Sequence, residues 1–117
     1  MSRYILLYSA PLAASERFAT ASPEEAQLGL QAWVEWAEKL GPALVDPGKP
    51  LGNGRTVTSN GVSPSDTQVI GMSIIEADSM DHALSMVEDH HHLAWSDGTA
   101  ITVLEEMGIP ELDHSTV

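Results

Sequence analysis

Apolar residues alternate with a period of two in three segments of the chain, which is the pattern of β-strands. These segments are 3–9, 67–77 and 99–105. In the first two, apolar side chains fall on both faces, so neither face of the predicted sheet is cleanly polar. A shorter β-favouring piece at 55–58 predicts a weak edge strand within 43–66, a region rich in Pro, Gly, Asn and Ser.

One long segment repeats apolar residues at spacings of three and four, which predicts an amphipathic helix. Ser22 can cap its N-terminus, Pro23 suits the first helical position, and Glu25 can close a capping box. The pair Gly41 and Pro42 ends the helix. The stripe predicted to face the core is Ala26, Leu30, Trp33, Ala37 and Leu40.

A second, shorter helix follows the segment 67–77. Asp78 or Ser79 can cap it, and we expect it to end near Asp89. The stripe predicted to be buried is Met80, Ala83, Leu84 and Val87. No regular element is assigned to the small-residue connection 11–21, and 44–45 is expected to form an extended turn.

The elements follow the order β-α-β-β-α-β, which predicts an α+β fold, the ferredoxin-like sandwich with helices on one face of an antiparallel sheet. The other face would expose the apolar side chains of the two-sided strands, and monomers rarely show so large an apolar patch. We therefore expect a homodimer that packs sheet against sheet. The alternative is a twisted monomer with scattered apolar residues on its surface.

The composition fits one globular domain. The chain has 117 residues, and we expect a core over about 3–107 and a loose tail at 108–117. Its formal net charge of -12 repels polyanions, so nucleic acid is not an expected partner. It contains no cysteine, which excludes disulfides and Cys-based zinc sites. Since no long apolar run or export signal is present, we expect a cytoplasmic protein with no membrane partner.

Two stretches carry a resemblance to a known family. The first is 69–79 (VIGMSIIEADS), followed by 83–84 and a His-rich turn, and the second is 32–36 (AWVEW), followed by 40–41 and 44–51. Together they resemble the YCII-related family and its DGPF branch, over about residues 3–107. The resemblance implies a small bacterial protein with the dimeric α+β barrel fold, in which two ferredoxin-like protomers face each other through their sheets.

The chain departs from this family where function is concerned. The DGPF branch has Asp-Gly-Pro-Phe where this chain has 60–63 (NGVS), which keeps the turn glycine but lacks the carboxylate and the aromatic ring. The predicted first helix has no histidine, so the His-Asp pair suspected in some family members does not carry over. The family's histidine after its second helix matches His92 in 90–93 (HHHL).

Three consecutive histidines, His90 to His92, are the most conspicuous candidates for chemistry. Successive residues of a helix are rotated by about 100°, so the three cannot converge on one ion. Two of them with Glu88 or Asp89 would make a two-His-one-carboxylate set, but the run has no HxxxH or HExxH spacing, and we predict no metal or other cofactor.

Two interpretations of the histidines remain open. In the structural one, they end the second helix, where protonated imidazoles meet its negative dipole end. In the functional one, His92 lines a ligand cavity and donates or accepts a proton.

A few other side chains are candidates for a site. Trp33 and Trp36 are neighbours on the first helix, and we expect Trp33 in the core and Trp36 beside a groove. Tyr4 or Tyr8 could offer a phenol to a pocket, with core filling as the alternative. Arg55 could bind a substrate carboxylate or form a surface ion pair.

Two functions follow as alternatives. One is a non-catalytic module that binds a small molecule or a protein; DGPF-type proteins are often encoded beside sigma factors, so the resemblance allows a regulatory or accessory role. Its candidate ligand contacts are Tyr8, Trp36, Arg55 and His90. The other is a small cofactor-independent enzyme in which His92, with Asp89 or Asp97, does acid-base work on a small organic substrate. The missing family carboxylate and histidine favour the binding module.

Overall fold

The structure, a computed structural model, describes residues 1–108. The elements are β1 (Ser2–Ser9), α1 (Leu12–Ala19), α2 (Pro23–Leu40), β2 (Leu44–Pro50), β3 (Arg55–Thr58), β4 (Gly61–Pro64), β5 (Val69–Ala77), α3 (Met80–Val87) and β6 (Ala100–Glu105). Short 3-10 turns lie at Gly41–Ala43 and His91–Leu93. The predicted loose tail, 108–117, lies outside the described residues apart from Gly108.

The fold is α+β, as predicted. Four strands form one antiparallel sheet in the order β2-β5-β1-β6, and β3 and β4 form a separate two-stranded hairpin. Within residues 1–108, no helix is long and apolar enough to cross a membrane.

The two central strands, β1 and β5, separate their side chains onto two faces, as their alternation predicted. On the helix side, Tyr4 pairs with Ile75 and Leu6 lies opposite Ser73, and all four are buried. The buried core cluster on this side is Tyr4, Leu6, Tyr8, Trp36, Ile75, Ala77, Ala83 and Val87. Burying these side chains supplies most of the driving force for folding.

The opposite face of the sheet is also apolar. Ile5 pairs with Ile74, and Leu7 pairs with Met72, at the centre of this face. All four side chains are only partly buried, and Leu104, which lies opposite Ile5, is exposed. We call this the open face of the sheet.

Helix α2 has the predicted start but a rotated core face. Ser22 accepts a hydrogen bond from the Glu25 amide (3.2 Å), and the Ser22 amide donates to the Glu25 carboxylate (3.5 Å), which confirms the capping box. The predicted stripe is wrong in part, since Leu30 is 59% exposed and Trp36 is 5% exposed. The indole N–H of Trp36 donates to the Met86 carbonyl oxygen (3.2 Å), which holds Trp36 in the core beside α3.

For the remaining helices and the edge strand, the sequence patterns predict only part of the structure. Ser79 caps α3 through the His82 amide (3.1 Å), as predicted, but Met80 and Leu84 are exposed rather than buried. The connection 11–21, for which the sequence predicts no regular element, contains α1. The edge strand of the main sheet is β2, where only an extended turn was expected, while the predicted edge strand 55–58 is β3 in the separate hairpin.

Candidate ligand-binding site

A cavity of about 900 Å³ lies between α2 and the sheet, on the side of β1, β5 and β2. Its wall is predominantly apolar and aromatic, and all three tryptophans of the chain line it. The main aromatic and aliphatic contributors are Tyr8, Trp33, Trp36, Trp95, Leu30 and Leu44. Cavities of this size and lining are typical of sites for small organic molecules.

Helix α2 leaves much of its apolar surface unburied where it borders the cavity. Trp36 is the buried residue of this helix, whereas Leu28, Leu30 and Val34 line the cavity and are still exposed. An amphipathic helix usually buries its apolar side chains against the core. Here those side chains border a space that is partly open to solvent, so a ligand has access to it.

Tyr8 supplies a polar group at the cavity wall. Its hydroxyl donates to Oγ of Ser73 (2.8 Å), and the Ser73 hydroxyl donates to the carbonyl oxygen of Pro47 (2.8 Å). A carbonyl oxygen only accepts, so the donor and the acceptor of both hydrogen bonds are fixed. Burial raises the pKa of Tyr8 to about 12, and the phenol is therefore neutral at pH 7. Its oxygen retains a lone pair for a ligand donor.

Gly48 allows β2 to pass close enough to β5 for this chain of hydrogen bonds. Its φ is +91°, and a Cβ at this position would overlap the Met72 carbonyl oxygen and approach Ser73 Oγ. The Gly48 amide donates to Asp46 Oδ1 (2.8 Å), which fixes the local turn. The β2–β5 register is irregular on both sides of Asp46. The neighbouring carbonyl of Pro47 is thereby presented to Ser73.

The histidines follow α3 rather than end it. The helix ends at Val87, His90 is extended (φ -62°, ψ 139°), and the 3-10 turn begins at His91. His90 and His92 are only 2% and 5% exposed. Burial lowers the pKa of His90 to about 3 and lowers that of His91 and His92. Because α3 ends at Val87, the interpretation that the histidines end this helix is wrong, and burial disfavours the protonated imidazoles that it requires.

Both ring nitrogens of His92 have partners. Nε2 lies 2.9 Å from the Ser9 carbonyl oxygen, and Nδ1 accepts the indole N–H of Trp95 (3.1 Å). Because the carbonyl can only accept, Nε2 carries the hydrogen and the ring is neutral. His92 lines the cavity, but its hydrogen bonds join β1 to the turn that contains Trp95. This arrangement positions the turn and leaves neither nitrogen free to transfer a proton.

His90 and His91 belong to an aromatic cluster beside the cavity, which His91 lines and His90 does not. Their rings stack with centroids 4.2 Å apart, and His90 also lies 4.5 Å from Trp36 and 5.2 Å from Tyr8. Nδ1 of His90 accepts the His92 amide (3.0 Å). Within the described part of the chain, the buried Nε2 atoms of His90 and His91 have no hydrogen-bond partner. Such atoms are uncommon in protein interiors.

The other predicted site residues lie elsewhere. Asp89 is exposed and accepts a hydrogen bond from the Lys39 ammonium (3.1 Å), which lowers its pKa. A smaller crevice of about 200 Å³ brings Asp89 near His90 and His91. Asp97 and Arg55 are exposed and line neither of these two cavities. The structure thus brings together Tyr8, Trp36, His90 and His92.

Three contributors to the site were missed from the sequence. Ser73 had a signal, because it is a polar residue on the otherwise apolar, helix-facing side of β5, and such a hydroxyl needs a hydrogen-bond partner. Gly48 and Trp95 had none, since the role of Gly48 depends on its close approach to β5 and that of Trp95 on a cavity wall that only the folded chain forms. Among residues 1–108, no three His, Asp or Glu side chains are grouped so that they could hold a metal ion.

The chain matches no family model and no curated protein. The resemblance to the YCII-related family, drawn from short motifs, stays a prediction.

Proposed function

We propose that this protein binds a small, mostly apolar molecule with at least one hydrogen-bonding group in the cavity between α2 and the sheet. The observation that carries the proposal is the cavity of about 900 Å³ with an aromatic lining. Trp33 lies edge-on to Tyr8, with ring centroids 5.0 Å apart, so this end of the cavity is walled by rings. A flat or aromatic ligand suits such a wall, because rings pack favourably edge to face or offset.

The polar contacts would come from few groups. The Tyr8 hydroxyl oxygen is held in place by its hydrogen bond to Ser73 and can accept from a ligand N–H or O–H. Fixed polar groups in an apolar cavity orient a ligand more than they add to its affinity. The apolar area supplies the affinity.

The enzyme alternative is less well supported by the same geometry. His92 uses both ring nitrogens in hydrogen bonds within the protein, and Asp89 is paired with Lys39. Asp97 is exposed and does not line the cavity. A general acid or base must reach the substrate atom that gains or loses the proton. We therefore propose a binding module, with the regulatory or accessory role that the YCII-related resemblance implies.

We further propose a ferredoxin-like arrangement, a homodimer and a cytoplasmic location for this protein. The order β2-β5-β1-β6, with an antiparallel strand between β1 and β2, supports the split β-α-β pattern of that fold. The open face supports the dimer, because Ile5, Leu7, Met72 and Ile74 would be covered if two sheets packed together. The dimeric α+β barrel of the YCII-related family combines these two features.

Filling the cavity tests the binding proposal. Gly29 lines the cavity from α2, and a Cβ there would meet no atom within 4 Å, so Gly29→Leu adds a bulky side chain at the cavity wall without a clash at its Cβ. The control is Gln31→Leu, which places the same side chain at an exposed position that does not line the cavity. The probe is N-phenylnaphthylamine, a neutral aromatic dye that fluoresces in apolar surroundings.

We expect saturable dye binding to the wild type and to Gln31→Leu, and at least about tenfold weaker binding to Gly29→Leu. Equal binding by both variants, or no saturable binding by the wild type, would contradict the proposal. Circular dichroism of each variant shows that a loss of binding is not a loss of fold.

A further inference from the structure

The hairpin β3-β4 stands apart from the main sheet. Its strands pair with each other through Thr56 and Ser63 and through Val57 and Val62, and all four residues of each strand are exposed. A two-stranded hairpin without further packing is at best marginally stable in water. The hairpin therefore lacks the buried face that normally stabilises a ribbon of this kind.

The two faces of the hairpin differ in polarity. Alternation places Arg55, Val57, Val62 and Pro64 on one face and Thr56, Thr58, Gly61 and Ser63 on the other. Val57 is 75% exposed and Val62 is 69% exposed, although they form a directly opposed apolar pair. Such alternation is typical of a ribbon that covers an apolar surface with one face and meets water with the other.

The charge of this region differs in sign from the rest of the chain. The segment 47–65 contains two of the five cationic residues, Lys49 and Arg55, and none of the 17 acidic ones. The Arg55 guanidinium donates to the carbonyl oxygens of Asn53 and Gly54, at 3.4 Å and 2.8 Å. Among the described residues it makes no ion pair. It is therefore free to meet carboxylates on another surface.

We propose that the hairpin β3-β4 is an arm that packs its Val57–Val62 face on a second copy of this chain, with Arg55 against acidic side chains of that copy. A second copy is the occupant that the charges favour, because outside 47–65 the chain carries 17 acidic residues and only three cationic ones. The same chain also has an uncovered apolar sheet face. This proposal does not depend on ligand binding in the cavity. It adds a second contact to the dimer proposed through the open face.

The test compares two double variants of the hairpin by sedimentation equilibrium. Val57→Thr with Val62→Thr keeps the branched shape and β-propensity but places hydroxyls on the proposed contact face. The matched control, Thr56→Ala with Ser63→Ala, changes the directly opposed pair on the other face. In a two-fold dimer both arms lose their contacts, so we expect the Val variant to raise the dissociation constant at least about tenfold and the control to change it less than about twofold.

A third variant, Arg55→Glu, tests the proposed electrostatic contact. We expect it to weaken the dimer more at low salt than at high salt, because exposed charges are screened. Amide hydrogen exchange of 55–64 should slow as the dimer forms with rising concentration.

The other possible results each contradict the proposed arm. If the Val variant keeps the wild-type dissociation constant, or if both double variants weaken the dimer equally, the arm is refuted while a dimer through the open face stands. If the wild type stays monomeric at its highest soluble concentration, the arm and the open-face dimer are refuted together. Neither result bears on the cavity proposal, because dye binding can be measured on a monomer as well as on a dimer.

Discussion

The hydroxyl of Tyr8 donates a 2.8 Å hydrogen bond to Oγ of Ser73, across the two central strands and at the wall of the cavity. Both side chains are buried, and Ser73 passes the interaction on to the Pro47 carbonyl. These two hydrogen bonds link β1, β5 and the edge strand β2 behind the proposed ligand. The polar part of the site is thus built into the sheet itself.

Removing the acceptor of this hydrogen bond should destabilise the protein. In Ser73→Ala the Tyr8 hydroxyl is left buried without its partner, so we expect the free energy of unfolding to fall by about 1–3 kcal/mol. Tyr8→Phe removes the donor and leaves Ser73 bonded to Pro47, so its cost should be smaller, about 1 kcal/mol. Urea denaturation measures both values.

The double variant shows whether the two effects share one interaction. If Tyr8 and Ser73 are coupled, the loss in the double variant is smaller than the sum of the single losses by about 0.5 kcal/mol or more. Simple additivity would contradict the hydrogen bond. Ser9→Ala, on the opposite face of β1, is the control for loss of a serine hydroxyl.

Gly48→Ala should be among the most damaging single changes in the described part of the chain. The φ of +91° is unfavourable for alanine, and its Cβ would overlap the Met72 carbonyl oxygen. We expect a loss of about 3 kcal/mol or more, or failure to fold. Gly52→Ala is the control, because nothing lies within 4 Å of a Cβ there, and its effect should stay within about 0.5 kcal/mol. Similar losses in both variants would contradict the role of Gly48.

Acidification should destabilise the fold through the histidine cluster. Burial lowers the pKa of all three histidines, that of His90 to about 3 from 6.5. Below pH 6.5 the unfolded chain therefore binds protons that the folded chain does not, so stability falls as pH decreases from about 6.5 towards 3. The full contribution is present above pH 6.5, where both states are neutral at these positions.

Denaturation at pH 7 and pH 5 measures this slope. His90→Asn keeps an acceptor for the His92 amide but does not titrate, so its free energy of unfolding should fall less steeply between these pH values than that of the wild type. An equal slope in the two proteins would contradict a buried, neutral His90.

Leu7→Glu should prevent the proposed homodimer. Leu7 lies at the centre of the open face, between Met72 and Thr102, so a dimer through this face would bury one carboxylate from each protomer. Sedimentation velocity should show a monomer. Leu84→Glu, at an exposed leucine of α3 on the helix side, is the matched control and should remain dimeric. A dimeric Leu7→Glu variant would contradict packing through the open face.

The sequence predicted the elements whose signals are local. Alternation identified β1, β5 and β6, and the Ser22–Glu25 capping box marked the start of α2. The core face of α2 could not be predicted, because the position of Trp36 depends on a hydrogen bond to Met86, which lies 50 residues away in the chain. The edge strand β2 was missed for a similar reason, since its Pro and Gly residues are strand-compatible only through their contacts with β5.

The candidate site was predictable only as a set of residue types. The phenol of Tyr8 and the ring of Trp36 were recognised, and the structure places both at the cavity. The hydrogen-bond partners and the neutral form of the His92 ring could not be predicted from the sequence. Its two ring nitrogens meet Ser9 and Trp95, and only the folded chain brings the three together.

Nuclear magnetic resonance of the indole N–H groups tests the central claim most directly. All three tryptophans, Trp33, Trp36 and Trp95, line the cavity, so each indole signal reports on its occupancy. On titration with N-phenylnaphthylamine, we predict that the three indole signals shift with one shared saturation curve, while the amides of Val57 and Val62 in the hairpin do not move. Indole signals that stay unchanged at saturating dye, or shifts confined to the open face of the sheet, would contradict a ligand site between α2 and the sheet.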